Sequence, residues 1–96
     1  MKFEWDNNKE QINIKKHNIK FSTAAMVFGD NYRLEFYDER HSSHYEDRYI
    51  TIGMVDEIAV VVVVVYTERG EYIRIISARR ANSHERRLYY DSSARY

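Results

Sequence analysis

Hydrophobic positions along this chain follow two periods, and the change from one to the other marks the elements. At Lys2–Trp5, Phe3 and Trp5 share one side of a two-residue alternation, which predicts a short strand. Asp6 can accept backbone N–H bonds at the start of a helix running to about His17. That helix is mostly polar, with Ile12 its clearest apolar anchor, so only packing on the rest of the chain would keep it helical. After a connector at Asn18–Phe21, Ser22 is placed to cap a second helix, Thr23–Phe28. Phe21 and Met26 are spaced there as a hydrophobic staple, and Gly29 stands at its end.

Strands follow. Tyr32, Leu34 and Phe36 alternate with Arg33, Glu35 and Tyr37, the pattern of a strand buried on one face. Asp38 to Asp47 reads as a charged, serine-containing loop, Arg48–Met54 as a second strand and Val55–Glu57 as a tight connection. Ile58–Thr67 holds six consecutive valines, 60 to 65. At a sheet edge such a run would template aggregation, so it is expected mid-sheet, covered on much of both faces. Gly70 turns the chain into a last strand, Glu71–Arg79. Asn82, with Glu85 three residues on, has the spacing of a capping box for a helix from Ser83 to about Asp91. Short connections favour an antiparallel meander. The prediction is α+β, one domain over residues 1–96: a single antiparallel sheet of four to five strands, two N-terminal helices and one C-terminal helix.

Composition narrows the function classes. The chain is 44% hydrophobic and 15% aromatic, which suits a packed core rather than disorder. It has no Cys, which favours a reducing compartment, and its longest apolar run, Ile58 to Tyr66, is too short to span a bilayer. Met1 to Asp6 carries charges where a signal peptide has its apolar core, so a soluble, cytoplasmic protein is expected. With three Gly and no Cys there is no Gly-rich phosphate loop, nucleophile elbow or paired-cysteine site, and neither cofactor nor metal is expected. Fifteen cations balance fifteen anions. Their placement is uneven: all five Lys fall in the first 20 residues and all ten Arg from position 33 onward, so a neutral total can hide a basic face.

Four constellations could carry chemistry. Arg74, Arg79, Arg80, Arg86 and Arg87 have Glu85 as the only acid among them, and Arg79 and Arg80 sit where a strand gives way to a helix N-terminus. Arginine forks and free backbone N–H groups together could cradle phosphate, or the segment could be a solvated basic strand end. Lys9, Asn13, Lys16 and His17 fall on one face of the first helix, either as a polar solvent stripe or as a second basic surface. His41 and His44, spaced H-x-x-H between acids, read as incidental loop histidines whose joint removal should leave activity intact. Tyr89 and Tyr90 lie beside the arginines, where one could stack on a base while the other packs.

Taken together the segments resemble the BrnT toxin family. The resemblance rests on Phe3, Trp5, Asp6 and Lys9, then Asn13, Lys16, His17, Ile19 and Phe21. It continues through Arg48, Ile52 and Gly53, and through Val63 and the run Tyr66 to Gly70. It is most specific in Ile73 to Ala81 followed by Glu85 and Tyr89. Thr23-Ala24-Ala25 replaces a common Glu-Ala, and the prolines often present in the middle loop are missing. The resemblance implies a RelE-like fold and a metal-independent endoribonuclease of a type II toxin–antitoxin pair. It also implies a BrnA-type ribbon-helix-helix antitoxin, bound as a heterotetramer around an antitoxin dimer, with operator DNA contacted only through the antitoxin. For such chemistry, Arg74 and Arg79 would hold the scissile phosphate, Lys16 or His17 would add charge or move a proton, and Glu85 could act as base or simply cap the helix. Arg80, Lys9, Arg86 and Tyr89 would bind the rest of the RNA. A module that holds nucleic acid without cutting it, or one whose basic face only docks a partner protein, would use the same residue types.

Overall fold

A computed structural model describes residues 1–93. Strand β1 is Lys2–Glu4, followed by helix α1, Asn7–His17, helix α2, Phe21–Ala25, and a 3-10 turn, Met26–Gly29. Strands β2, Leu34–Tyr37, β3, Arg48–Val55, β4, Val60–Arg69, and β5, Tyr72–Arg80, lead to helix α3, Ser83–Ser93. The sheet order is β1-β5-β4-β3-β2. β2 to β5 form the expected antiparallel meander, but β1 pairs parallel to β5, with Phe3 opposite Ile73 and Glu4 opposite Arg74. The sheet is therefore mixed. Connection length constrains only strands that follow one another, and β1 and β5 lie at opposite ends of the chain.

The valine strand β4 lies at the centre, as its composition requires. Val62, Val64 and Tyr66 face one cluster with Ile19, Phe21, Ala24, Val27, Phe28 and Ile75. Val61 and Val63 face a second cluster with Ile52, Ala81 and Tyr89. Alternate residues of one strand thus bury against α1 and α2 on one face and against α3 on the other. Gly53 allows the first layer to close: a Cβ there would stand 2.8 Å from Val27 Cγ1 and 3.0 Å from the Arg33 Cβ.

Three local expectations give way to tertiary packing. Ile12 is 55% exposed, and the buried residue of α1 is Asn13. Its Nδ2 donates to the carbonyls of Ile19 and Ala78 at 3.0 and 2.9 Å, and its Oδ1 accepts from the Ala78 N–H at 3.0 Å. Because β1 stops at Glu4, this carboxamide satisfies β5 as a neighbouring strand's peptide group would. In α2, Phe21 is fully buried and begins the helix, so Ser22 is not its cap. The Phe21 N–H donates instead to the Glu10 carboxylate of α1 at 2.8 Å. Beyond Ala25 the chain tightens into the 3-10 turn rather than continuing as α-helix to Phe28.

Strand β5 carries a bulge that matters for the site. Tyr66 pairs with Ile75 and Val65 with Ser77, which leaves Ile76 as the extra residue. One additional residue reverses the alternation of a strand. Ile75 and Ala78 therefore share the first cluster although three residues apart, and Ser77, which unbroken alternation would place with Ile73 and Ile75, faces away from them.

Candidate active site

α3 covers only part of the second sheet face. The rest is a cleft of about 420 Å³ floored by Ile50, Val63, Val65, Ile76 and Ser77. Its walls carry Arg48 from β3, Arg79 from β5, Glu85 from α3, and Asp38, Arg40 and His41 from the loop after β2. The bulge puts Arg79 there, since without it Arg79 would follow Ile73 and Ile75 into the first core.

Arg79 and Glu85, both expected at the site, pair directly, so Glu85 does not stand free. Its two oxygens accept from Arg79 Nη1 and Nη2 at 2.7 and 2.8 Å, and Oε1 also accepts the Asn82 N–H at 2.9 Å. The Glu85 N–H returns to Asn82 Oδ1 at 2.8 Å, which completes the capping box. The Arg79 hydrogen bond outweighs burial and holds the Glu85 carboxyl below its ordinary range, while the Arg79 guanidinium is pushed up by the same contact. Such a carboxylate is a weak proton acceptor and a good clamp. The clamp engages the end fork of Arg79. Among the described residues, its Nε–H and the second hydrogen on Nη2 take no partner, which leaves the side fork for an anion.

A second hollow, about 180 Å³, lies between α1 and the edge of β5 and is lined by Lys9, Ile12, Asn13, Lys16, His17, Ile76 and Ser77. The stripe read from helical spacing is thus one wall, with the buried Asn13 as its anchor. Ile76 and Ser77 line both hollows, so the two adjoin at the bulge on the sheet edge.

The other expected site residues go elsewhere. Arg74 lines neither hollow: its Nη1 donates to Glu4 Oε2 at 2.6 Å, and it stands five strand residues, about 15 Å, from Arg79. Arg80 donates to the His17 carbonyl at 3.2 Å and Arg86 to the Ala81 carbonyl at 2.8 Å, so both tie chain segments together. Tyr89 is 5% exposed, packed in the second core, and its hydroxyl donates to Asp30 Oδ2 at 2.5 Å. It cannot stack on a base, whereas its neighbour Tyr90 is 48% exposed. Tyr90 lines a larger hollow of about 740 Å³ whose charged residues are Asp30, Asp56 and Glu57, an acidic setting unsuited to phosphate.

Four ionisable lining residues lie outside the expected site set: Asp38, Arg40, His41 and Arg48. The two histidines of the H-x-x-H spacing separate. His44 sits edge-on to Tyr45, while His41 turns into the cleft with its Nδ1 2.9 Å from Asp38 Oδ2. No group of three or more potential metal-ligating side chains occurs among the described residues, and none of the described helices is long and apolar enough to cross a membrane. Spacing suggested a loop here and nothing more. The informative signal was the serine within it: Ser42 Oγ donates to the Asp38 carbonyl at 2.7 Å and accepts the Arg48 N–H at 2.9 Å, which closes the loop over the cleft.

Arg40, Arg48 and Arg79 with Lys9 and Lys16 give five cations around the two hollows; Asp38 is engaged by His41, Glu85 by Arg79, and Glu46 accepts from Arg48 Nε at 3.2 Å, which leaves Arg40, Lys9, Lys16 and the side fork of Arg79 as the cationic surface. Such a surface suits a polyanion. No individual curated protein matches the chain. A family model described as the ribonuclease toxin, BrnT, of type II toxin–antitoxin systems matches residues 5–85, from Trp5 just after β1 to the Glu85 that clamps Arg79. The chain belongs to the BrnT family of type II toxin–antitoxin ribonuclease toxins.

Proposed function

We propose that this protein is a metal-independent endoribonuclease of RelE-like type, acting in the cytoplasm as one domain, that cuts RNA by attack of a 2′-hydroxyl on the adjacent phosphate and so stops translation. The reading is carried by the adjacency of the two hollows, which share Ile76 and Ser77 as lining. A single RNA strand can lie with one phosphate against the side fork of Arg79 and the next ones over Lys9, Lys16 and His17. Arg48 and Arg40 add charge where the phosphorane forms, which is usually the largest contribution to such a step. Glu85 positions Arg79 rather than taking a proton. Cleavage by an internal hydroxyl supplies its own nucleophile, so the protein need only fix charge and move protons. A BrnA-type ribbon-helix-helix antitoxin, paired with the toxin in a heterotetramer, would cover this basic face and alone contact operator DNA.

Controlled expression in a bacterial host tests the reading. Induction should halt growth with loss of intact messenger RNA, co-expression of a cognate ribbon-helix-helix partner should restore growth, and Arg79→Ala should be harmless while folding normally. Unimpaired growth and intact RNA on expression of the unaltered chain would overturn it.

A further inference from the structure

We propose that His41, oriented by Asp38, is the acid–base group of the cleft, an assignment that rests on the ribonuclease reading above. Of the four histidines, it is the one hydrogen-bonded to a carboxylate among the described residues. Asp38 is only 8% exposed and receives the His41 ring nitrogen at 2.9 Å and the His41 backbone N–H at 3.3 Å. The His41 side chain itself is 62% exposed. A buried carboxylate behind an open imidazole fixes the tautomer: Nδ1 carries the hydrogen toward Asp38, and Nε2 keeps its lone pair for the cleft.

The support beneath this pair is built from backbone. The Asp38 N–H donates to the Arg48 carbonyl at 2.8 Å, the Ser42 N–H donates to the Asp38 carbonyl at 3.0 Å, and Ser42 Oγ bridges to Arg48. The charged groups around His41 are Asp38 and Arg40 of its own loop, Arg48 of β3, Arg79 of β5 and Glu85 of α3, the last engaged by Arg79. The cleft volume, about 420 Å³, falls within the ~300–1,000 Å³ of small-ligand sites and can admit one nucleotide unit beside these groups.

Neutral His41 Nε2 takes the 2′-hydroxyl proton while the 2′-oxygen bonds to phosphorus. The bond from phosphorus to the 5′-oxygen breaks, and that oxygen takes a proton from water in the open cleft. The products are a 2′,3′-cyclic phosphate and a 5′-hydroxyl, and the imidazolium returns its proton to water. Arg79 and Arg48 carry the phosphorane charge.

Cleavage of a defined RNA, free and loaded on ribosomes, tests the assignment with the unaltered chain, His41→Ala and Asp38→Asn. His41→Ala should cleave about 10²–10⁴-fold more slowly, while binding of a 2′-O-methyl RNA changes less than about twofold and added imidazole restores part of the rate. Asp38→Asn should lower the rate less and alter its pH profile, and the rising limb of that profile should vanish in His41→Ala. Cleavage by His41→Ala at the unaltered rate, or a loss matched by lost binding and indifferent to imidazole, removes His41 while the ribonuclease reading stands. If the unaltered chain leaves both RNAs intact, the ribonuclease reading falls and His41 with it.

Discussion

Replacing Asn13 with alanine is the most exacting test of how the fold holds the site. The side chain is 5% exposed and spends both ends of its carboxamide on backbone: two carbonyls and one N–H, at 2.9 to 3.0 Å. Alanine keeps the helix but orphans the Ala78 N–H, the Ala78 carbonyl and the Ile19 carbonyl. Each orphaned buried group costs about 1–3 kcal/mol, and the lower bound applies here because water can follow a displaced α1. The expected loss is therefore about 3 kcal/mol, a large share of the ~5–15 kcal/mol that holds a typical domain. In a domain of this size each kcal/mol moves Tm by about 4–8 °C, so the melting midpoint should fall by about 12–24 °C. Thermal melting by circular dichroism at pH 7 reads this directly. Asn13→Asp should behave similarly at pH 7, because the carboxylate keeps one acceptor but turns charge toward two carbonyls. A Tm within about 3 °C of the unaltered chain for Asn13→Ala would refute the view that this amide takes the place of a missing strand.

Other outcomes follow from the same geometry. Gly53→Ala should destabilise by about 1–3 kcal/mol, measured by urea unfolding, since its Cβ would meet Val27 Cγ1 at 2.8 Å and both sit in packed layers. Glu85→Gln keeps the capping box and loosens Arg79; stability should fall by less than about 1 kcal/mol because the Arg79 side chain is 43% exposed. RNA binding by that variant should weaken more than single-turnover cleavage slows; a loss of cleavage alone would return Glu85 to the role of base. Asp30 is held below the ordinary carboxylate range: burial pushes it up, but the Met54 N–H, the Tyr89 hydroxyl and the Tyr32 N–H outweigh that, and Arg79 lowers Glu85 likewise. Depressed carboxyls contribute stability above their unfolded values, near ~4, and lose it as pH falls through the folded ones. Tm should thus stay level from neutral pH down to about 5 and drop below about 4, with a shallower drop in a double Asp30→Asn, Glu85→Gln variant.

The elements were legible where one residue type forces one environment. Six valines can only lie mid-sheet, and Asp6 and the Asn82–Glu85 pair start their helices as their spacing says, with Asp6 accepting the Asn8 and Lys9 N–H groups. What escaped depends on contacts far apart in the chain. Nothing near Lys2 announces a parallel partner seventy residues on, and the bulge at Ile76 is a property of the β4–β5 register, not of local composition. That single residue decides which arginine reaches the cleft, so Arg79 could be named from the sequence while Arg74, equally basic, could not be set aside. Tyr89 and Tyr90 were equivalent by composition, and their opposite fates rest on Asp30, fifty-nine residues away. His41 was dismissed because a loop gives no periodicity from which to read a direction.

What this protein does to RNA in the absence of divalent metal decides its chemistry. Purified chain incubated with RNA in EDTA, with fragment ends identified by enzymatic end-labelling and mass spectrometry, is the direct measurement. It should give 2′,3′-cyclic phosphate and 5′-hydroxyl ends, and Arg79→Ala should cut about 10²–10³-fold more slowly while still folding, with only a small loss in melting temperature because the Arg79–Glu85 pair is partly exposed. RNA bound but left intact, or fragments ending in 3′-hydroxyl and 5′-phosphate, would contradict it.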